Sequence, residues 1–330
     1  EIRVSTLQKS NSLDAYGNKK AKIYRRFKEN KKRSSLFVLV QYIFFSLFTL
    51  YQLIRYKPDA VLYYESISAF PAYLYKRFVG RKVKLCIHYH EYMTPAEYCR
   101  TGMRLSKLNH SLETSYLYHV ATWVSQTNQY RKELFMNDEP QLSEGVCRIL
   151  PNYPPASWFR KRKLHANEIV KCVYVGSLSL TDTYVLEFCQ WIAKQQGKVQ
   201  FDIYSFNFHK NTLDAIEKLR CPYIEFHKEG VNDVGVLLYK AKTMNVKYCE
   251  TNKFYEYLIS GLDVWYPKEM TLLHEMDKSV FAPQIVEMDI TQGLFPNVEL
   301  SPREVDNSSY DRFSEGVYES FMQFLDMQQG

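Results

Sequence analysis

Short runs rich in β-branched and aromatic residues alternate with helical patterns along all 330 residues, and this alternation leaves few architectures open. Strand-like runs stand at 2–7, 22–27, 60–64, 83–88, 122–125 and 147–150, then at 171–175, 200–204, 223–227, 235–239 and 263–266. Helical patterns lie between them, at 70–78, 103–119, 183–196 and 252–260. A parallel strand needs a crossover to bring the chain back to its starting edge, and a helix usually supplies it. The pattern therefore predicts an α/β protein with doubly wound parallel sheets. A hydrophobic content of 46% suffices for two cores, and the absence of repeats or low-complexity tracts excludes solenoids and disordered chains.

The segment Pro151-Asn152-Tyr153-Pro154-Pro155 interrupts regular structure, because proline fixes φ and removes a backbone donor. It predicts a first Rossmann-like domain over 1–153 and a second over 154–308. The last segment, 309–330, reads as a helix with Phe313, Val317, Tyr318, Phe321 and Phe324 at helical steps, expected to pack back toward the first domain. The chain opens without methionine, directly in strand-like sequence. A doubly wound domain normally begins with a strand, a glycine turn and a helix. The expectation is that one β-α unit precedes residue 1.

The net charge of +7 hides an asymmetry: residues 1–165 carry 28 Lys/Arg against 12 Asp/Glu, whereas the remainder carries 15 against 24. A basic first half can meet an anionic membrane surface or nucleic acid, but no nucleic-acid recognition motif accompanies the charge. Seven cysteines without a C-x-x-C pair read as thiols in a reducing compartment, with no cleavable signal peptide visible. Leu36–Ile54 is a charge-free stretch of 19 residues. Its place between two strands predicts a crossover helix buried against a sheet; lying on the membrane face and crossing the bilayer are the alternatives.

Two segments carry candidate chemistry. Val173-Tyr174-Val175-Gly176-Ser177-Leu178-Ser179-Leu180-Thr181 is a strand entering a glycine turn and then a helix, where backbone N–H groups and the Ser177 and Ser179 hydroxyls can cradle a diphosphate. Many such turns keep glycine for packing alone. Asn252-Lys253-Phe254-Tyr255-Glu256-Tyr257-Leu258-Ile259-Ser260-Gly261-Leu262 is a charged helix start, an apolar helix and a glycine stop before a strand. Glu256 in its first turns can accept hydrogen bonds from a ribose diol, and Lys253 can meet phosphate charge. The bland alternative is a carboxylate that complements the helix dipole.

The order of these segments resembles the donor lobe of GT-B glycosyltransferases close to glycosyltransferase family four, of the bacterial surface and capsular polysaccharide type. Ile87-His88-Tyr89-His90-Glu91-Tyr92 resembles that family's His-Glu strand end, Trp123-Val124-Ser125-Gln126-Thr127-Asn128 a later strand, and Ile149-Leu150-Pro151-Asn152 its linker. The resemblance implies two Rossmann-like domains facing across a cleft, the first lacking its first β-α unit. It implies retaining transfer of a sugar from a nucleotide diphosphate to a saccharide or polyprenyl-diphosphate-linked acceptor. No metal or other cofactor and no nucleic-acid partner is expected. His90 and Glu91 would be the catalytic pair, and Gly176, Ser177, Ser179, Asn252, Lys253, Phe254 and Glu256 would bind the donor. Of His88 and His90, one is expected to face the cleft and the other to serve the core.

The chain departs from the family pattern in three places. Tyr248 stands where an earlier acid is expected, with Glu250 out of step. Arg and Lys do not follow the glycine turn, and the segment from Glu229 to Val236 is short for a helix between strands. A non-catalytic GT-B-like scaffold or truncated remnant that binds sugar nucleotide without turnover is the alternative function, with a GT-B epimerase a lesser rival. Work at the cytoplasmic face of the inner membrane is the expected location.

Overall fold

The computed structural model describes residues 2–8, 21–28, 35–164, 169–205, 209–227, 230–298, 303–305 and 310–327. The chain divides into two compact units. The first holds Glu1–Ser125 and Phe135–Arg148, and the second holds Gln126–Leu134 and Ile149–Gly330.

In the first unit β1 (Ile2–Gln8) pairs in parallel with β2 (Ala21–Lys28). A four-stranded sheet follows in chain order: β3 (Ala60–Tyr64), β4 (Lys84–His88), β5 (Trp123–Gln126) and β6 (Cys147–Ile149). β4 and β5 are buried almost throughout, as strands of a parallel sheet covered on both faces must be. The connection from β2 to β3 is the 22-residue helix Ser35–Tyr56. Here the structure corrects the expectation of a buried crossover helix: only 6% of its apolar stretch is buried. The strands it joins, β2 and β3, belong to separate sheets, and the run between them carried no information on which face would be covered.

The second unit opens with β7 (Arg162–Leu164), followed by β8 (Val170–Val175), β9 (Val199–Tyr204), β10 (Ile224–Phe226), β11 (Val234–Val236), β12 (Asp263–Pro267) and β13 (Ile285–Met288). β7 pairs with the later β14 (Arg303–Val305) in antiparallel fashion. The six-stranded sheet is parallel, in the order β10-β9-β8-β11-β12-β13. Alternate residues feed two cores on its opposite faces. Cys172, Tyr174, Val234, Val236 and Trp265 pack with the helix Val185–Lys194 through Val185, Phe188, Cys189 and Ile192. Val173, Val264 and Tyr266 pack with the helix Asn252–Ile259 through Phe254, Tyr257 and Leu258. Each fully buried side chain of this size contributes about 1.5–3 kcal/mol.

Sequence reading missed β13, an edge strand whose Ile-Val-Glu-Met run is short and only partly buried. Between β10 and β11 the described residues 230–233 form no helix, in keeping with the brevity of that segment. The final helix, Ser314–Met327, belongs to the second unit, where the backbone N–H of Ala156 donates to Glu315.

Candidate functional site

The strand order of the second unit reverses between β8 and β11: β9 and β10 lie on one side, β12 and β13 on the other. In an open parallel sheet the crevice outside the strand ends at such a reversal is where ligands bind. Two segments meet there. The Gly176 turn leaves β8, and the Asn252–Ile259 helix follows β11 with its N-terminus at the same edge.

The turn is built by its own polar groups. Gly176 has φ +155°, and a Cβ there would lie 3.1 Å from the Tyr174 hydroxyl, which itself donates to Ser177 O at 2.7 Å. The Gly176 N–H donates to Tyr204 O at 3.0 Å, so this amide ties β8 to β9 and is already engaged. Ser177 is exposed. Ser179 Oγ lies 2.6 Å from Thr181 Oγ1 and donates to Asp182 at 3.0 Å, which makes the hydroxyl cluster a self-bonded turn. The loop after β11 closes against it, with Tyr184 N donating to Leu238 O at 2.7 Å. Lys240 Nζ donates to Leu180 O and to Glu187, both at 2.9 Å. Lys240 is thus a cation beside the turn, supplied by the next strand's loop instead of by the residues following Gly176. Sequence reading did not single it out because its closeness is tertiary.

The helix Asn252–Ile259 buries Phe254, Tyr255, Tyr257, Leu258 and Ile259 and turns Asn252, Lys253 and Glu256 outward. Lys253 Nζ donates to Glu256 Oε2 at 2.6 Å. Asn152 Nδ2 donates to Asn252 Oδ1 at 2.8 Å. Phe254, expected among the donor contacts, has a wholly buried side chain 5.8 Å from the Phe281 ring that anchors the helix. The helix ends as its sequence indicates. Gly261 adopts φ +70°, with Leu262 N donating to Tyr257 O and Gly261 N to Leu258 O, both at 3.0 Å.

Tyr257 joins helix and turn. Its hydroxyl accepts from Val175 N at 3.0 Å, and its ring lies where a Cβ on Gly235 would come within 2.1 Å. Gly235 is needed for that close approach. Below the helix start, Tyr255 donates to Glu250 at 2.6 Å, and burial pushes the Glu250 carboxyl up. Tyr248 stacks on Tyr130 with ring centroids 5.5 Å apart, and its carbonyl accepts from Asn128 Nδ2 at 2.9 Å.

In the first unit, the end of β4 carries a second cluster. His88 is buried, with Nδ1 2.9 Å from Ser125 Oγ, and burial followed by the neighbouring His90 holds it down to about 3. The His90 ring lies 4.6 Å from that of His88 and stacks on Tyr64 at 5.3 Å. His88 is buried and His90, just past the strand's end, is half-buried; the two rings are edge-to-face neighbours, so the expected placement on opposite sides is corrected. Glu91 is exposed. The residue sequence reading missed is Glu65, just beyond β3. Its Oε1 accepts from His90 N at 2.7 Å and Glu91 N at 3.1 Å. Burial raises its carboxyl to about 7 against those two hydrogen bonds. A lone glutamate after Tyr63-Tyr64 carries no motif to announce this.

No family model matches the chain, and no curated protein matches it in sequence. Its structure is similar to that of Anabaena Alr3699/HepE in complex with UDP-glucose, with a TM-score of 0.61 at 11% identity, covering 98% of this chain and 100% of that one. A glycosyltransferase from Rickettsia africae ESF-5 matches with a TM-score of 0.65 at 8% identity over 98% of this chain and 89% of that one. Sucrose-phosphate synthase from Thermosynechococcus elongatus matches with a TM-score of 0.63 at 9% identity over 99% of both. The likeness is one of fold: the chain has the GT-B fold, made of two Rossmann-like α/β units.

Proposed function

We propose that this protein is a glycosyltransferase that takes its sugar from a nucleotide diphosphate, in the manner of family four. One observation carries the reading. At the strand-order reversal of the second unit, the Gly176 turn and the Glu256 helix are pinned together through Tyr257. In this scheme Glu256 accepts from the ribose hydroxyls while Lys253, Asn252 and the amides and hydroxyls of Ser177 and Ser179 meet the diphosphate. The bond from the anomeric carbon to the diphosphate oxygen breaks, and a bond to the acceptor oxygen forms with retention. The acceptor proton passes to the departing diphosphate, whose charge the helix N-terminus and Lys253 stabilise. His90 and Glu91 attend the sugar, and no metal enters the scheme. A saccharide or polyprenyl-diphosphate-linked acceptor at the cytoplasmic face of the inner membrane, in surface polysaccharide assembly, suits the basic first half of the chain.

HepE holds UDP-glucose, which makes uridine nucleotides the first ligands to titrate. Glu256→Ala is expected to weaken UDP binding by at least about tenfold, the loss of charge-assisted hydrogen bonds, at unchanged melting temperature. Equal affinity in parent and variant would remove the donor assignment. One feature favours a second reading: Tyr248, stacked on Tyr130, supplies no carboxylate where the resemblance expects one. Nucleotide binding with neither transfer to acceptors nor hydrolysis of the donor would identify a scaffold.

A further inference from the structure

The helix Ser35–Tyr56 is inside out. A surface helix in water turns its apolar stripe toward the core and its polar residues outward. Here Leu36, Val40, Ile43, Phe44, Leu47, Tyr51 and Ile54 recur at three- and four-residue steps on the exposed side, with Leu36 70%, Phe44 56% and Leu47 52% accessible. The polar residues lie on the other side: Ser46 is buried, and Gln41, Thr49 and Gln52 are half-buried. That inner side is held by the unit along the helix. Asn109 Nδ2 donates to Tyr42 Oη at 2.8 Å, and Tyr56 stacks on Tyr24 at 6.2 Å.

We infer that this helix lies in the plane of an anionic bilayer, its outer stripe among the acyl chains and its inner side on the protein. The length of 22 residues, about 33 Å at the α-helical rise, would also permit a span, but a spanning helix could not keep its inner side on a water-soluble domain from Tyr42 to Tyr56. Charge selects lipid as the occupant. No acidic residue stands from Lys31 to Pro58, and nine Lys/Arg fall within Lys19–Arg33. Arg55 and Lys57 are exposed at the helix end, with Arg55 donating to Tyr51 Oη at 3.3 Å. The turn Tyr75–Val79 packs against the helix and adds exposed Phe78 and Val79 beside exposed Arg77, with Arg81 and Lys82 just beyond. Apolar side chains rimmed by cations are what a headgroup boundary accommodates.

The inference rests on the membrane location proposed above and is independent of the donor site, so vesicle binding and nucleotide binding are read separately. The full chain is floated with vesicles of phosphatidylcholine, with and without phosphatidylglycerol. The parent is expected to float with the anionic vesicles, and at least about tenfold less with neutral ones. Phe44→Glu with Leu47→Glu is expected to lower anionic-vesicle binding at least about tenfold while leaving UDP affinity and melting temperature unchanged. Should that pair unfold the protein, Ile43→Ser with Leu47→Ser gives the same comparison without added charge. A parent that does not float, or variants that float as well as the parent, would overturn the inference. So would a concentration-dependent dimer that the variants disperse in the absence of lipid binding, which would assign the face to a second copy of the chain.

Discussion

Glu65 holds φ 59° and ψ 151°, a backbone region nearly reserved for glycine, at a cost on the order of 1–3 kcal/mol. Strain of this kind persists where surrounding structure over-determines it, and here the amides of His90 and Glu91 do so. Burial raises its carboxyl to about 7 against those two hydrogen bonds, so the group exchanges a proton near neutrality. Glu65→Gln keeps an oxygen for both amides and removes the titration. Since a carboxyl raised from 4.5 to about 7 on folding costs stability as it ionises, the parent is expected to lose stability as pH rises through that window and this variant not to, measured by denaturation across pH. His110 supplies a stability test. Burial opposes its charge, but Glu113 and Glu139 outweigh burial and lift it from 6.5 to about 9. Its Nε2 lies 2.9 Å from Glu139, and Glu113 also accepts from Tyr63 at 2.8 Å and Ser66 at 2.6 Å. A histidine raised on folding stabilises fully below about 6.5, and that stability is lost as pH rises through about 9. Denaturation of His110→Gln beside the parent should show the largest deficit at pH 6 and a smaller one above pH 9, where the stacking of His110 on Tyr98 remains but the charge has gone.

At the scale of elements, the packing of the Asn252–Ile259 helix on β11 is the most sharply determined contact. Gly235→Ala would drive a methyl into the Tyr257 ring and is expected to cost about 1–3 kcal/mol, more than the same change at exposed Gly145, as urea unfolding would show. This helix was legible from sequence because local chemistry specifies both of its ends: a polar start, an apolar run, and Gly261 in the left-handed conformation. The strands of the two main sheets were legible for a similar reason, as continuous apolar runs bounded by turns. What escaped was tertiary. Edge strand β13 carries Glu287 within a run of four residues, and Lys240 reaches the Gly176 turn from another loop. The exposed stripe of Ser35–Tyr56 is visible in sequence only as hydrophobicity. Apolar residues on most of the helix circumference give periodicity nothing with which to choose a face.

At the scale of the whole molecule, each unit has its own main parallel sheet, and the candidate donor groups all reside in the second. A ligand held there stabilises that unit by mass action, by about 2.7 kcal/mol at a hundred times its Kd. Saturating UDP is therefore expected to slow proteolysis and hydrogen exchange within Val170–Met288 in the parent, and much less in Glu256→Ala. The Tyr257 hydroxyl gives this a further consequence. With the Val175 amide on it, the segment proposed to grip the ribose and the segment proposed to grip the diphosphate form one plate. A ligand gripping both segments would hold that bond closed, so the lifetime of the Val175 amide proton against solvent is a single-site clock for whether the two move together.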